Sequence, residues 1–373
     1  MNILVLMTQN VSLKEWNKKK ILSRELLIYK KLSQKVDKYF FFTWGNSTDK
    51  KYLPKGCNFE LISLFNKTRN ISNFLTFIYS ILFIFLNSSK FRSIDLVKSN
   101  QLIGAHIGLV LKIFFKKKFI CRLGYEPNLF ISKKSFLFKR YLLRIYSFLI
   151  YKAADKIIVT SQSSKNYIVN NFFIKNKKIE IIPNYVDTKI FTKIKKETKS
   201  FKKFITISRL TSQKNLEYLF NEISMANVSL DIIGPKKNIR YYKKIAIKNN
   251  ARVKFLGSVN NISLKNKLKK YDFFILTSKF EGNPKSLLEA MSLGMPIIAS
   301  NVLGINNIIK DCKNGFLINL NKGSLSKKLS EVVKKRNIES VKNNARKYII
   351  ENHSINKIAR LEFFLYKSTL KNF

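Results

Sequence analysis

Two glutamates with seven residues between them, Glu281 and Glu289, stand out in a chain holding 22 acidic residues against 71 lysines and arginines. They bracket Gly282-Asn283-Pro284-Lys285-Ser286. An apolar run at Phe273–Thr277 predicts a buried strand, and a loop then carries Glu281-Gly282-Asn283. Asn283 suits a helix N-cap and Pro284 the first helical position. The helix expected over Pro284–Leu293 stops at Gly294, a left-handed C-cap, with Pro296 preventing continuation. Backbone N–H groups near Asn283–Ser286 have no partner within such a helix, and its dipole adds partial positive charge. A diphosphate can sit there. Glu281, on the loop, can then accept hydrogen bonds from sugar hydroxyls, and Glu289, about two turns along, can reach a ribose.

A second element supplies cations. Phe204-Ile205-Thr206-Ile207 reads as a strand ending at Ser208, followed by Arg209, Leu210 and Lys214, with Ser212 or Asn215 opening the next helix. Arg209 offers a planar fork for phosphate oxygens and Lys214 a compact point charge. Both could offset negative charge growing on a departing diphosphate. Their position after a strand's carboxyl end, where open parallel sheets bind ligands, lifts them above the other basic residues.

The elements that must hold these groups alternate throughout as short apolar runs and longer helical patterns, the pattern of βα units and parallel sheets. Strands are expected at Ile3–Met7, Tyr39–Phe42, Leu96–Lys98, Phe119–Arg122 and Lys156–Thr160. In the second half they are expected at Lys203–Ile207, Val228–Ile233, Val253–Phe255, Phe273–Thr277, Pro296–Ala299 and Gly315–Ile318. With 373 residues, two doubly wound (Rossmann-like) domains in tandem are expected, facing across a cleft. Their bounds are 1–186 and 187–350, with 351–373 a C-terminal helix packing back on the first. The stretch from Lys189 to Lys203, with seven lysines and one glutamate, reads as a solvated connection.

The net charge of +49 attracts nucleic acid, anionic lipid and anionic metabolites, most strongly at low salt. Joint abundance of Lys, Asn, Ile and Phe fits compositional drift; the alternative is a polyanionic partner, chiefly an anionic membrane surface. Cys57, Cys121 and Cys312 are scattered, without zinc or disulfide spacing, which fits a reducing, cytoplasmic compartment. The opening run Ile3–Met7 is too short for a signal peptide and reads as a first strand. Phe74–Leu86 holds 13 residues without a charge, short of the ~20 needed to span a bilayer, so a buried or interfacial helix is expected. Phe136–Lys152 interleaves apolar residues with Lys139, Arg140, Arg144 and Lys152. It reads as a basic amphipathic helix lying in a headgroup layer, or as a core-facing helix with its cations in water.

The second half resembles the family 4 retaining glycosyltransferases of GT-B fold. The Glu281-x7-Glu289 pattern matches that family's marker. So do Ser208-Arg209-Leu210 with Lys214, Ile182-Pro183-Asn184-Tyr185-Val186-Asp187, Phe255-Leu256-Gly257-Ser258 and Asn314-Gly315-Phe316-Leu317. Ala154-Asp155-Lys156-Ile157-Ile158-Val159-Thr160-Ser161 fits the family's first domain, so the resemblance covers nearly the whole chain. It implies transfer of a sugar from a nucleotide-diphosphate sugar, without metal or other cofactor, to a cell-envelope polysaccharide or lipid-linked glycan. Retention would come from same-face attack steered by the leaving phosphate. The resemblance makes Arg209, Lys214 and Glu281 catalytic. It assigns Ser208, Gly282, Asn283, Pro284, Lys285, Ser286 and Glu289 to donor binding. A peripheral location on the inner face of a membrane follows from the acceptor and the charge.

The first domain departs from that pattern. Family members often have a Thr-x-His-Gly context after the fourth strand; here Cys121-Arg122-Leu123-Gly124 puts Leu123 where the His falls. His106 belongs to the preceding helix pattern and is expected to be packed. Where the family has a glycine near the first strand, a loop Glu15-Trp16-Asn17-Lys18-Lys19-Lys20 offers lysines, a remodelled phosphate contact or a sign of weak activity. The alternatives are a weak or inactive relative, a sugar-nucleotide epimerase, or a charge-driven polyanion binder. The epimerase has little support in a chain with two histidines, and no motif for specific nucleic-acid recognition is present.

Overall fold

The computed structural model describes residues 1–66, 72–131, 136–194, 201–335 and 337–371. Contacts divide the chain into two compact units, Met1–Pro183 with the chain from Ala359 onward, and Asn184–Ile358. Of the connection expected between Lys189 and Lys203, residues 195–200 lie outside the described residues, as do 372 and 373 of the C-terminal segment. The start of that connection is not solvated as its lysines suggest: Phe191 and Ile194 are buried in the second unit's core.

The first unit is built on a parallel sheet of seven strands among the described residues, in the order β3-β2-β1-β4-β5-β6-β7. These are β1 (Asn2–Leu6), β2 (Lys38–Asn46), β3 (Phe59–Phe65), β4 (Leu96–Ser99), β5 (Lys118–Arg122), β6 (Lys156–Val159) and β7 (Ile179–Ile181). The central β1 pairs Ile3 with Tyr39 on one side and Leu96 on the other. β3 and β7 were not expected from the sequence. They are the two edge strands, and each interrupts its apolar run with a glutamate (Glu60, Glu180), as an edge half open to water permits.

The lysine-bearing segment after β1 is not a loop. It is a helix, Leu13–Lys18, with Ser12 as N-cap and Leu13 and Trp16 buried. Its free N–H groups are already taken: the buried Asp49 carboxylate accepts from Leu13 N (3.0 Å), Lys14 N (3.1 Å) and the Thr43 hydroxyl (2.6 Å). The chain's own Asp49 carboxylate thus meets the first N–H groups of this helix.

The C-terminal helix is Ile355–Lys371. Within the first unit, Glu362 on this helix is ion-paired with Lys98 at the carboxyl end of β4, both fully buried. The Tyr366 hydroxyl joins both, at 2.6 Å from Glu362 and 3.0 Å from Lys98, and Arg122 Nε lies 4.0 Å from the same carboxylate. Burial by itself would raise the Glu362 carboxyl. The Lys98 and Arg122 charges, with hydrogen bonds from Lys98 and Tyr366, hold it below its ordinary value.

The second unit's sheet runs β10-β9-β8-β11-β12-β13, all parallel. The strands are β8 (Lys203–Ile207), β9 (Ser229–Ile233), β10 (Arg252–Gly257), β11 (Phe273–Leu276), β12 (Ile297–Ser300) and β13 (Phe316–Ile318). Successive residues feed opposite cores. Phe273 and Ile275 face the layer containing helix Leu216–Met225; Phe274 and Leu276 face the layer containing helix Lys285–Ser292. Burial on both faces makes β11 and β12 continuous apolar runs, the reason they were legible. The sheet order reverses at β8: the chain moves one way to β9 and β10, then returns to β11 on the other side. The loops after β8 and β11 therefore lie side by side at the carboxyl edge, where their chains leave for opposite faces. That is the switch point at which open α/β sheets bind ligands.

Candidate active site

The two loops at this switch point carry the residues singled out above. After β8, Ser208 is buried; its N–H donates to Ile233 O (2.8 Å) and its hydroxyl to Arg209 O (2.9 Å). Arg209 is exposed. The chain then makes a short turn, Ser212–Lys214, and Asn215 adopts φ +53° before helix Leu216–Met225 begins. This turn buries Lys214 against the neighbouring loop, where its ammonium pairs with the Glu281 carboxylate. The Ser278 hydroxyl donates to the same oxygen, Oε1, at 2.6 Å. The cation of the first loop and the acid of the second thus meet, although 67 positions separate them in sequence.

Main-chain and amide contacts fix the second loop. Gln213 donates from Nε2 to Phe280 O (3.0 Å), while its own carbonyl accepts from Lys279 N (2.8 Å). Ser300, at the end of β12, donates to Ser278 O (2.6 Å), and Glu281 N donates to Leu303 O (3.1 Å). Gly304, at φ +88°, lies against Glu281 so tightly that a Cβ there would be 1.9 Å from the Glu281 carbonyl oxygen. Gly234 does the same for the first loop, where a Cβ would fall 1.9 Å from Ser208 O. Both switch-point loops therefore pass glycines at distances no other residue permits.

The helix start differs in one respect from expectation. Asn283 is not the N-cap. Its Oδ1 accepts from Asn184 N (2.9 Å) and its carbonyl from Asn184 Nδ2 (2.6 Å), so its side chain is committed to the segment Asn184–Asp187. Pro284, extended at ψ 110°, takes the cap position, and among the described residues no side-chain hydrogen bond caps the helix Lys285–Ser292. The dipole of this helix still places partial positive charge at its start. Asn184 is held from behind by His353, whose Nδ1–H donates to Asn184 O at 2.9 Å. Burial lowers the His353 pKa, with the Asn184 carbonyl working against the shift, so the ring is neutral near pH 7.

Gly282 is buried, Ser286 is half-buried, and the Lys285 ammonium sits over the Tyr185 ring at 5.4 Å from its centroid. Glu289 is 3% exposed, one turn into a helix whose Leu287, Leu288, Ala290 and Met291 are all core. Gln213, Ser278 and Gly304 were not singled out from the sequence. Gln213 flanks Lys214 and Ser278 lies three positions before Glu281, but amide and hydroxyl groups beside a loop are too common to select. Asn184 was quoted only within a motif, and its pairing with Asn283 spans 99 positions.

In the first unit, Leu123 is fully buried, its N–H donating to Ile158 O (2.8 Å), so the position contributes packing. His106 is packed as expected. It lies 3.0 Å from the Ser80 hydroxyl, and burial pushes its pKa down to about 3.

The family model described as Glycosyl transferases group 1 matches residues 187–360, and that of Glycosyltransferase Family 4 matches residues 60–190. Among curated proteins, an Escherichia coli UDP-Gal:alpha-D-GlcNAc-diphosphoundecaprenol alpha-1,3-galactosyltransferase is 30% identical over 190 residues, covering 46% of this chain and 49% of its own length. The O-antigen biosynthesis glycosyltransferase WbnH of Escherichia coli is 31% identical over 179 residues, covering 48% and 50%. The chain spans about half the length of these curated relatives. Among solved structures, Anabaena HepE in complex with UDP and glucose superposes with a TM-score of 0.78 at 16% identity, covering 99% of this chain and 100% of that one. The sucrose-phosphate synthase of Thermosynechococcus elongatus gives 0.78 at 15% identity, covering 99% of each chain. At these identities the likeness concerns the fold.

Proposed function

The chain belongs to family 4 of the glycosyltransferases and has their GT-B fold; from that premise we propose that it moves a sugar from a nucleoside diphosphate sugar to a cell-envelope polysaccharide or lipid-linked acceptor, with retention at the anomeric carbon. The observation that carries the proposal is the Lys214–Glu281 pair at the switch point, beside a helix start that no side-chain hydrogen bond caps among the described residues. Lys214 has three N–H donors. One is on Glu281, and the others are available to diphosphate oxygens, with Arg209 exposed on the same loop as a second cation. Glu281 receives the transferred sugar's hydroxyls, Glu289 the ribose, and the 283–286 backbone the phosphates.

In the transfer step the bond between the anomeric carbon and the leaving phosphate oxygen breaks. The acceptor hydroxyl oxygen bonds to that carbon on the same face and passes its proton to a departing phosphate oxygen. Lys214 and Arg209 stabilise the charge accumulating on the diphosphate, so the proposed chemistry needs no metal. HepE was solved with UDP and glucose, and the first curated relative is named for a UDP-sugar donor and a diphosphoundecaprenol acceptor. A UDP-sugar is therefore the first donor to try. A lipid-linked acceptor would place the protein at a membrane's cytoplasmic face.

The test is a thermal-stability screen against UDP-, GDP- and ADP-sugars, in which a ligand at 100 times its dissociation constant adds about 2.7 kcal/mol. The donor found is then used to measure release of nucleoside diphosphate. Glu281→Gln keeps the shape and an acceptor for Lys214 but removes the charge; its kcat/KM should fall about 100-fold or more. Absence of stabilisation by every donor, or a Glu281→Gln variant as active as the parent, would refute the proposal.

A further inference from the structure

The helix Asn73–Leu86 is built inside out. Its buried side holds Thr76 and Ser80 beside Phe83 and Ile84, while Phe74, Leu75, Ile78, Leu82, Phe85 and Leu86 stand exposed, Leu86 by 81%. Helix Leu137–Ala153 shows the same reversal. Ser147, Ile150 and Tyr151 face the core, and the outward arc is formed by Leu137, Phe138, Tyr141, Leu142, Ile145 and Phe148. An ordinary surface helix keeps its polar residues outermost.

Helix His106–Phe115 touches both others and joins their surfaces: its exposed Phe114 meets Phe85 edge-on at 5.2 Å between centroids. Aromatic side chains carry roughly 150–250 Å² each. The exposed apolar side chains of these touching helices therefore add up to an area beyond the few hundred Å² of an ordinary monomer's patch.

We propose that this face is a membrane-docking surface, entering the headgroup and upper acyl layer of an anionic bilayer without crossing it. No helix among the described residues is long and apolar enough to span, and shallow insertion is the mode open to amphipathic helices lying in the surface plane. The charges select the occupant. The three helices carry no carboxylate. Lys139, Arg144 and Lys152 flank the apolar arc of helix 137–153 with exposed cations, the Lys152 ammonium reaching over the Phe148 ring at 5.5 Å. Lys152 also lines a cavity of about 420 Å³ with Lys156, Lys175, Lys177 and Lys178, whose acid, Asp155, is already held by Lys112 at 2.6 and 2.8 Å. A second copy of this chain, itself carrying +49, would bring like charge against this rim. An anionic lipid surface complements both the apolar face and its border.

The proposal rests on the surface alone and does not depend on sugar transfer. Flotation of the full chain with phosphatidylcholine vesicles, with and without about 30% phosphatidylglycerol, reads it directly. Binding to the anionic vesicles should survive in part at 0.5 M NaCl, where screening removes purely electrostatic attachment. The triple variant Leu82→Glu/Phe138→Glu/Leu142→Glu changes exposed positions and should lower partitioning at least tenfold, with an unchanged melting temperature. Leu142→Trp should shift its emission to the blue on vesicles, in a chain whose two tryptophans, Trp16 and Trp44, are buried. Triple-variant binding equal to the parent's, or complete loss of parent binding in high salt, would overturn insertion. So would a parent dimer that ignores vesicles and that the triple variant dissociates, which would make a second copy the occupant. Stabilisation by donor sugars is read separately, so failure here leaves the transfer proposal standing.

Discussion

Replacing Gly304 by alanine tests whether the placement of Glu281 matters, without touching a charged group. An added Cβ would lie 1.9 Å from the Glu281 carbonyl oxygen and 2.8 Å from that of Gly282, and both obstacles are backbone. Real contacts of this kind are essentially never below 3.0 Å, so the Glu281–Gly282 backbone must retreat by more than 1 Å. A displacement of about 1 Å at a positioned group can cost roughly 100-fold in rate. The backbone contributes separately: at φ +88° alanine is strained by about 1–2 kcal/mol, offset by about 0.4–1 kcal/mol from the stiffer unfolded chain.

Gly323 isolates that second effect. It has a similar φ of +80°, but the nearest atom to a Cβ there is the flexible end of Met225 at 3.9 Å. Gly323→Ala should therefore lower Tm by a few degrees, as expected at about 2–4 °C per kcal/mol for this size, and leave turnover within about threefold of the parent. Gly304→Ala should lower kcat/KM for nucleoside diphosphate release by about 100-fold. If Gly304→Ala is as active as Gly323→Ala, the tight passage beside Glu281 has no part in the site.

Two predictions concern the first unit. Glu362→Gln leaves Lys98 buried without its counter-charge and should cost about 3–5 kcal/mol, lowering Tm by at least about 6 °C. Adding Lys98→Met should recover much of that loss, because the two residues form one network. Since the folded-state Glu362 pKa is lowered, its contribution is present above the unfolded carboxyl value of about 4.3 and is lost as pH falls through the folded value. Calorimetry should show an acid-side loss that the Gln variant lacks. His106, buried and held neutral with its pKa at about 3, binds a proton in the unfolded chain first. Stability should decline by up to about 1.4 kcal/mol per pH unit as pH falls below about 6.5, and His106→Gln should flatten that slope in urea titrations.

Strands buried on both faces were legible because both neighbours are apolar; the run Phe273–Leu276 can occupy only a sheet interior. The edge strands β3 and β7 were not, since water on one side lets Glu60 and Glu180 interrupt them. The helix after β11 was readable from Pro284 and Gly294, and Gly294 does adopt a left-handed φ of +64°. Its cap was misplaced because the partner of Asn283 is Asn184, a contact that local sequence does not encode. The pairing of Lys214 with Glu281 was also invisible as a bond, though each loop was identified by its place after a strand. The segment after β1 was read as a loop for a related reason: the start of the helix there is held by Asp49, more than thirty positions away. The inverted helices were visible as apolar runs, but which side faces water is decided by the sheet beneath them.

The closing helix gives the first unit an uncomfortable order of synthesis. Glu362 follows Lys98 by 264 positions, so at about 5–20 residues per second the ribosome delivers it tens of seconds after β4. Until then the Lys98 ammonium lacks the carboxylate that it meets in the folded unit. The first unit therefore receives its last helix only after the whole second unit has been made. A fragment stopped after Pro183 would lack that helix and leave Lys98 without its counter-charge, a loss of about 3–5 kcal/mol.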